Sequence, residues 1–328
     1  MRASALRAVA LGLASALFFT MTYVLNRGIV EGGGHWAWAV SLRYLITLPL
    51  LAAVLPFQGG PGALPRELAQ HRRAWLLWSG VGFFVFGSGL TWAAASGPAW
   101  LVAGSFQSTV LAGPLLAPLI YRDARGRLAW APLAVGALIF AGVLAMQLGH
   151  ARGALDRAGW LALGAVVVAA FAYPLGNRMI LLHLERSGTA LNATQRVFGM
   201  TLASQPWWLA LAAWAWLTAG PPSPAEILLA GGVALSSGVI ATILFFAATA
   251  RVRHDPTALA AVEAMQAAEL LFSCALGALC LGEPWPRGVA ALGALAVIAG
   301  IALFSWLSAR GAAEDARVAQ ALRTDRGA

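Results

Sequence analysis

The chain contains no lysine, and only 13 of its 328 residues are acidic. Charged residues make up 11% of it, where a soluble domain carries roughly one quarter, while 60% of the residues are hydrophobic. So little charge cannot keep that much apolar surface in water, which excludes an ordinary soluble globular fold. Cysteine is nearly absent too. Cys274 and Cys280 share one apolar run, ~9 Å of helical rise apart, too far for a disulfide within a helix, so they are read as small packing residues. The five histidines, His35, His71, His150, His183 and His254, fall in loops or at helix ends, so neither a buried Ser–His pair nor a histidine metal site is expected. There is no Gly-x-Ser-x-Gly, no phosphate-binding loop and no soluble stretch large enough for ATP. These absences speak against an enzyme and a bound cofactor. A membrane-embedded enzyme would need a polar catalytic cluster at one face, and a non-transporting scaffold would have no use for charges inside its spans.

What the chain does have is apolar sequence in long runs, with a mean hydropathy of +0.74. Crossing the hydrocarbon core takes roughly 20 predominantly apolar residues. Ten such runs are present, at 5–25, 36–57, 74–95, 98–121, 129–148, 158–182, 190–218, 225–250, 257–281 and 287–308. Short Gly- and Pro-rich breaks separate them, such as Gly32-Gly33-Gly34 and Pro284-Trp285-Pro286, and from Ala309 the chain turns polar, as a short solvated tail would. The first run, behind Arg2 and Arg7 and with Ala14-Ser15-Ala16 as a possible cleavage site, resembles a signal peptide. It is nevertheless long enough to span and has a counterpart later in the chain, so it is read as a span.

A net charge of +9 and a pI near 11.1 raise the question of nucleic acid, but that partner requires a basic stripe on one solvated face. Here the arginines sit in ones, twos and threes between apolar runs, as topology signals do. With the N-terminus in the cytoplasm, sixteen arginines between Arg2 and Arg326 lie inside, against Arg27, Arg152, Arg157 and Arg287 outside. That bias predicts both termini inside, an even number of spans and a multi-pass protein of the cell inner membrane.

The remaining two, Arg43 and Arg196, fall within spans and reveal a repeat. Tyr23-Val24-Leu25-Asn26-Arg27 matches Tyr173-Pro174-Leu175-Gly176-Asn177-Arg178, and Ser41-Leu42-Arg43 matches Thr194-Gln195-Arg196. Trp92-Ala93-Ala94-Ala95 matches Phe246-Ala247-Ala248-Thr249, and Gly136-Ala137-Leu138 matches Gly293-Ala294-Leu295. The matches keep one order, with an offset drifting only from 150 to 158. Five spans per repeat is odd, so the second half enters the membrane inverted, an architecture that places a site near the midplane between halves.

This pattern resembles the drug/metabolite transporter superfamily in its ten-helix form, near the multidrug-resistance efflux branch. The resemblance covers residues 5–308 and rests on the two halves, the arginine in the second helix of each, and Leu281-Gly282-Glu283-Pro284 before a Gly-rich tenth helix. It implies an all-α membrane protein: a five-helix repeat at 1–150, its inverted partner at 151–308, and a polar cytoplasmic tail at 309–328. Two departures stand out. Small four-helix multidrug pumps carry a glutamate within the first helix, whereas the first acidic residue here is Glu31, beyond it; and the first half has Arg122-Asp123 where the second has Gly282-Glu283.

Charges at membrane depth are rare and usually face a cavity or a partner. Arg43, Arg196, Glu263 and Glu269 qualify. Counting 1.5 Å per residue puts Arg196 and Glu263 about 10 and 9 Å from the inner face, and Arg43 and Glu269 about 10 and 12 Å from the outer one. Two buried ion pairs would satisfy these depths. So would a cavity whose carboxylates bind a cation or proton while the arginines orient the substrate. Gln266 lies three residues from each glutamate and widens their polar arc. Tyr23, Asn26, Tyr173 and Asn177 are rim or lining candidates, or else interfacial anchors and caps. Gln107, Trp92, Phe245 and Phe246 are further candidates to line a site. The glycines of the third and eighth spans are read as close-packing contacts, and Pro49, Pro114, Pro118, Pro174 and Pro206 as helix bends. The expectation is a secondary transporter exporting a drug-like cation or a metabolite such as an amino acid, coupled to inward proton movement through Glu269 or Glu263. Its partners are that substrate, protons and the bilayer, as a monomer or homodimer.

Overall fold

The structure, a computed structural model, describes residues 2–95, 97–122, 130–152, 155–252 and 268–325, and among these it is helical throughout with no strand. In chain order the helices are α1 (Arg2–Glu31), α2 (Trp36–Val54), α3 (Leu64–Gln70), α4 (Arg72–Ser79), α5 (Phe86–Ala93), α6 (Ala99–Phe106), α7 (Thr109–Ile120), α8 (Trp130–His150), α9 (Arg157–Ser187), α10 (Ala193–Ala219), α11 (Pro224–Val233), α12 (Thr242–Val252), α13 (Ala268–Leu281) and α14 (Val289–Asp325). π-helical turns, Gly80–Val85 and Ala234–Ala241, join α4 to α5 and α11 to α12.

Local chemistry places the helix ends. Asn192 and Gln195 form a reciprocal capping box at the start of α10, and Ser223 and Glu226 another at α11, with Pro224 in the first turn. Asp156 accepts from the Gly159 amide to open α9, and Gly188, at φ 70°, closes it in the left-handed conformation that glycine adopts without penalty. The polar segment after Ala309 continues α14 as helix to Asp325.

Among the described residues, six helices are long and apolar enough to cross a membrane: Arg7–Glu31, Trp36–Gln58, Arg72–Ala93, Leu133–His150, Arg157–Ser187 and Pro224–Phe245. Helix α10 has the length, but Gln195, Arg196, Gln205 and four tryptophans lower its hydropathy. The stretch from α6 through α7 is bent by 43° within α7, between Ala112 and Pro114. The apolar parts of α13 and α14 are shorter, Ala268–Leu281 and Val289–Phe304. Large leucines such as Leu119, Leu217, Leu228 and Leu279 point outward, which water would penalise and lipid tails accept.

Packing is pairwise across the two halves. Helix α1 lies against α11–α12 and α13; α9 lies correspondingly against α4–α5 and α6–α7; α2 pairs with α10, and α8 with α14. Small residues permit the close crossings: Gly82 meets Gly176, Gly142 meets Gly293, and Gly89 meets Ala165, so the glycines of the third span are indeed packing contacts. Cys274 and Cys280 are both free thiols.

Two buried carboxylates pin loops to helices. Glu283 of the Leu-Gly-Glu-Pro segment accepts the Ala99 amide at the start of α6 (2.8 and 3.0 Å) and lies 3.6 Å from Arg27 Nε. Arg27 in turn pairs with Glu31 at 2.8 Å and donates to the Ala94 carbonyl. Burial raises the Glu283 carboxyl above the ordinary carboxylate range, against the Ala99 amide and Arg27, which favour its ionised form. Glu226 of the α11 capping box also accepts the His35 amide at 2.7 Å, fixing the α1–α2 loop.

Candidate functional site

A cavity of about 370 Å³ lies among α1, α2, α5, α6, α9, α10, α12, α13 and both π-helical turns. That size is sufficient for a small organic molecule. Its walls are rich in aromatic residues: Phe19 and Tyr23 from α1, Tyr44 from α2, Phe83 and Phe86 around the first π turn, Phe106, Tyr173 and Phe245. The described lining carries two charged groups, Arg43 and Glu269.

Glu269 sits in the first turn of α13 and is 5% exposed. Its Oε2 accepts a hydrogen bond from the Tyr23 hydroxyl at 3.3 Å. Thr20, one turn earlier on α1, approaches the Glu269 carbonyl at 3.5 Å, so α1 both holds the backbone and touches the carboxylate. Arg43 is 9% exposed. Its Nη2 donates to Ser237 Oγ at 3.1 Å, and its guanidinium lies 5.2 Å from the Tyr44 ring. Nη1 is buried with no hydrogen-bond partner among the described residues.

The depth argument paired Arg43 with Glu269. They share the cavity, but no ion pair joins them. Rise along a helix gives a residue's level and not its azimuth, and Ser237 takes up the guanidinium instead. It can do so because the π turn Ala234–Ala241 carries one extra residue in its turn and redirects side chains, as such bulges often do at functional sites. Ser237 itself donates to the Val233 carbonyl, leaving its oxygen to accept from Arg43.

Of the residues singled out from sequence, Tyr23, Arg43, Tyr173, Asn177, Phe245 and Glu269 meet at the cavity. Arg196 is half-buried, is not in the lining, and its Nε has no hydrogen bond among the described residues. Gln107 is buried at the α6–α7 break, where it donates to the Ala103 carbonyl. Trp92 is 39% exposed and points away, and Asn26 ties α1 to Thr91 of α5. Glu263 and Gln266 lie outside the described residues. The reading of the sequence missed Ser237 and the other aromatic walls, Phe19, Tyr44, Phe83, Phe86 and Phe106; for Ser237 the Ser236-Ser237-Gly238 step inside an apolar run was the available signal.

A second polar cluster lies at the end of α9. The spacing of the histidines predicted none. The fold nevertheless brings His71, between α3 and α4, and His183 of α9 onto Glu67, which is 2% exposed. His183 Nε2 donates to Glu67 Oε1 at 2.9 Å, and Thr189 Oγ1 donates to Oε2 at 2.8 Å.

Six long apolar helices with leucines on their outer faces, around a cavity whose described lining holds one carboxylate and one guanidinium, mark a multi-pass membrane protein. Residues 6–310 match the family described as "Putative multidrug resistance efflux transporter" (EmrE), and the chain belongs to that family. It is 40% identical over 312 residues to the uncharacterized protein YjlA of Bacillus subtilis (strain 168), an alignment covering 92% of this chain and 95% of the relative. It is 37% identical over 274 residues to an uncharacterized 42.1 kDa protein of Shouchella clausii, covering 82% and 71%. A solved crystal structure shares the fold with a TM-score of 0.59 and 18% identity, over 92% of this chain and 98% of that one.

Proposed function

We propose that the protein is a secondary transporter of the inner membrane that exports a small organic molecule by alternating access, driven by inward proton movement. The observation that carries this reading is the aromatic-rich cavity whose described lining holds one buried carboxylate, Glu269, which accepts a hydrogen bond from Tyr23. Such a group binds either a substrate cation or a proton, and competition between the two couples their movements. The aromatic walls suit a flat or apolar substrate body. The Nη1 of Arg43, which has no hydrogen-bond partner among the described residues, adds a donor for an anionic group, favouring substrates that carry both charges, such as amino acids, over simple lipophilic cations.

The ten-span inverted architecture belongs to the same proposal. The π turns at Gly80–Val85 and Ala234–Ala241 begin 154 residues apart, within the sequence offset of the repeat, and the helix pairings exchange partners between halves in the same way. Reporter fusions after residues 60, 125, 185, 253 and 315 should read cytoplasm, and fusions after 30, 97, 153, 222 and 285 periplasm. Two or more reversed sites would refute the topology.

The function is tested with purified protein in proteoliposomes, screening amino acids and lipophilic cations with and without a pH gradient. Accumulation should appear only with the gradient and collapse on adding a protonophore. Uptake that only equilibrates, whatever the gradient, would overturn the proton-coupled reading.

A further inference from the structure

The cluster at the end of α9 has a use that transport does not assign to it. We propose that Glu67, His71 and His183 form a binding site for a divalent first-row transition-metal ion, with zinc as the reference ion, linking the α3–α4 junction to α9. One ligand atom from each residue lies within 4.8 Å of the other two. Glu67 Oε1 is the shared point, 2.9 Å from His183 Nε2 and 3.0 Å from His71 Nδ1. Three ligands on a tetrahedral ion with bonds of ~2.0–2.1 Å sit about 3.3 Å apart. The two nitrogen–oxygen separations need to open by only a few tenths of an ångström, and the two ring nitrogens lie within 4.8 Å of each other, so side-chain rotation is enough to seat the ion.

The orientation of His71 is the most telling feature. Its Nδ1 is buried and close to the carboxylate, yet it makes no hydrogen bond. A nitrogen 3.0 Å from a carboxylate oxygen but not aligned to hydrogen-bond with it is poorly used in a metal-free cluster, whereas a cation bound by both atoms at a tetrahedral angle would use both lone pairs. The His71 and His183 rings are nearly perpendicular, at 73° with centroids 4.6 Å apart, so their nitrogens converge without stacking. Thr189 on Oε2 orients the Glu67 carboxylate, as outer hydrogen bonds to metal ligands do. Two nitrogens and one oxygen suit zinc and its neighbours, not magnesium or calcium, which take oxygen cages. Arg66, Arg72 and Arg73 stand nearby in sequence, but all three are exposed, so water and salt screen their repulsion of a cation.

The test uses the full chain purified with a tag free of histidine, in lipid nanodiscs, titrated with zinc chloride in a calorimeter. One zinc per chain should bind and raise the unfolding temperature, while magnesium does neither. His71→Ala and His183→Ala should each weaken binding by more than the roughly tenfold loss expected for Thr189→Val, since a direct ligand counts for more than its orienting partner. His35→Ala and His150→Ala should bind as wild type. Cobalt chloride checks the wild type without any substitution: a visible tetrahedral absorption band should appear and be displaced by zinc. No saturable zinc binding, no cobalt band, or binding that survives loss of both His71 and His183 would each overturn the site.

Discussion

Glu269→Gln protein in proteoliposomes is expected to fold, to bind substrate and to lose gradient-driven accumulation. The side chain lies 5% exposed in the cavity and accepts from Tyr23, and glutamine keeps that acceptor and nearly the same volume. What it loses is a group that can carry a proton. For one-for-one electroneutral exchange, each pH unit is worth about 1.4 kcal/mol, so a gradient of two units supports up to about 100-fold accumulation. The variant should fall to a ratio near one while still exchanging labelled for unlabelled substrate. Tyr23→Phe, which removes one hydrogen bond to the carboxylate, should be milder, because the titrating group remains. Transport is measured against pH for wild type and both variants. If Glu269→Gln accumulates substrate with the wild-type pH profile, coupling lies elsewhere.

Gly176→Val should leave little or no folded protein, and Gly176→Ala should already lower the unfolding temperature markedly. A Cβ at Gly176 would fall against the Gly82 backbone, 2.5 Å from its nitrogen, and 2.6 Å from the Trp78 carbonyl oxygen. These are backbone atoms, so no rotamer change relieves the contact and α9 must move off the π turn. Overpacking of this kind costs about 1–3 kcal/mol or more even where side chains can yield. The shift would also displace Asn177 from the cavity wall. Gly164, on the same helix, has nothing within 4 Å of its added Cβ, so Gly164→Ala should be neutral or stabilising by about 0.5–1 kcal/mol. Thermal unfolding in detergent distinguishes the two positions. Equal behaviour would mean that helix propensity, and not the Gly82–Gly176 crossing, governs α9.

Much of this protein follows from the sequence alone. The long apolar runs require helices, because a span has to satisfy its own backbone hydrogen bonds. Glu269, Arg43 and the two tyrosines, Tyr23 and Tyr173, were legible as candidates to line a cavity because polar groups in apolar runs usually face a cavity or a partner.

What only the tertiary structure decided was rotation about each helix axis and contact between distant segments. Counting residues put Arg43 and Glu269 at one level, but each residue turns a helix by about 100°, and a π turn shifts that register. Arg43 accordingly meets Ser237, 194 residues away, and leaves Glu269 to Tyr23, 246 residues away. Local pattern carries no information about such pairs. Glu67 and His183, 116 residues apart, meet for the same reason: the close Gly82–Gly176 crossing brings the third span onto α9 and carries the loops at its end with it.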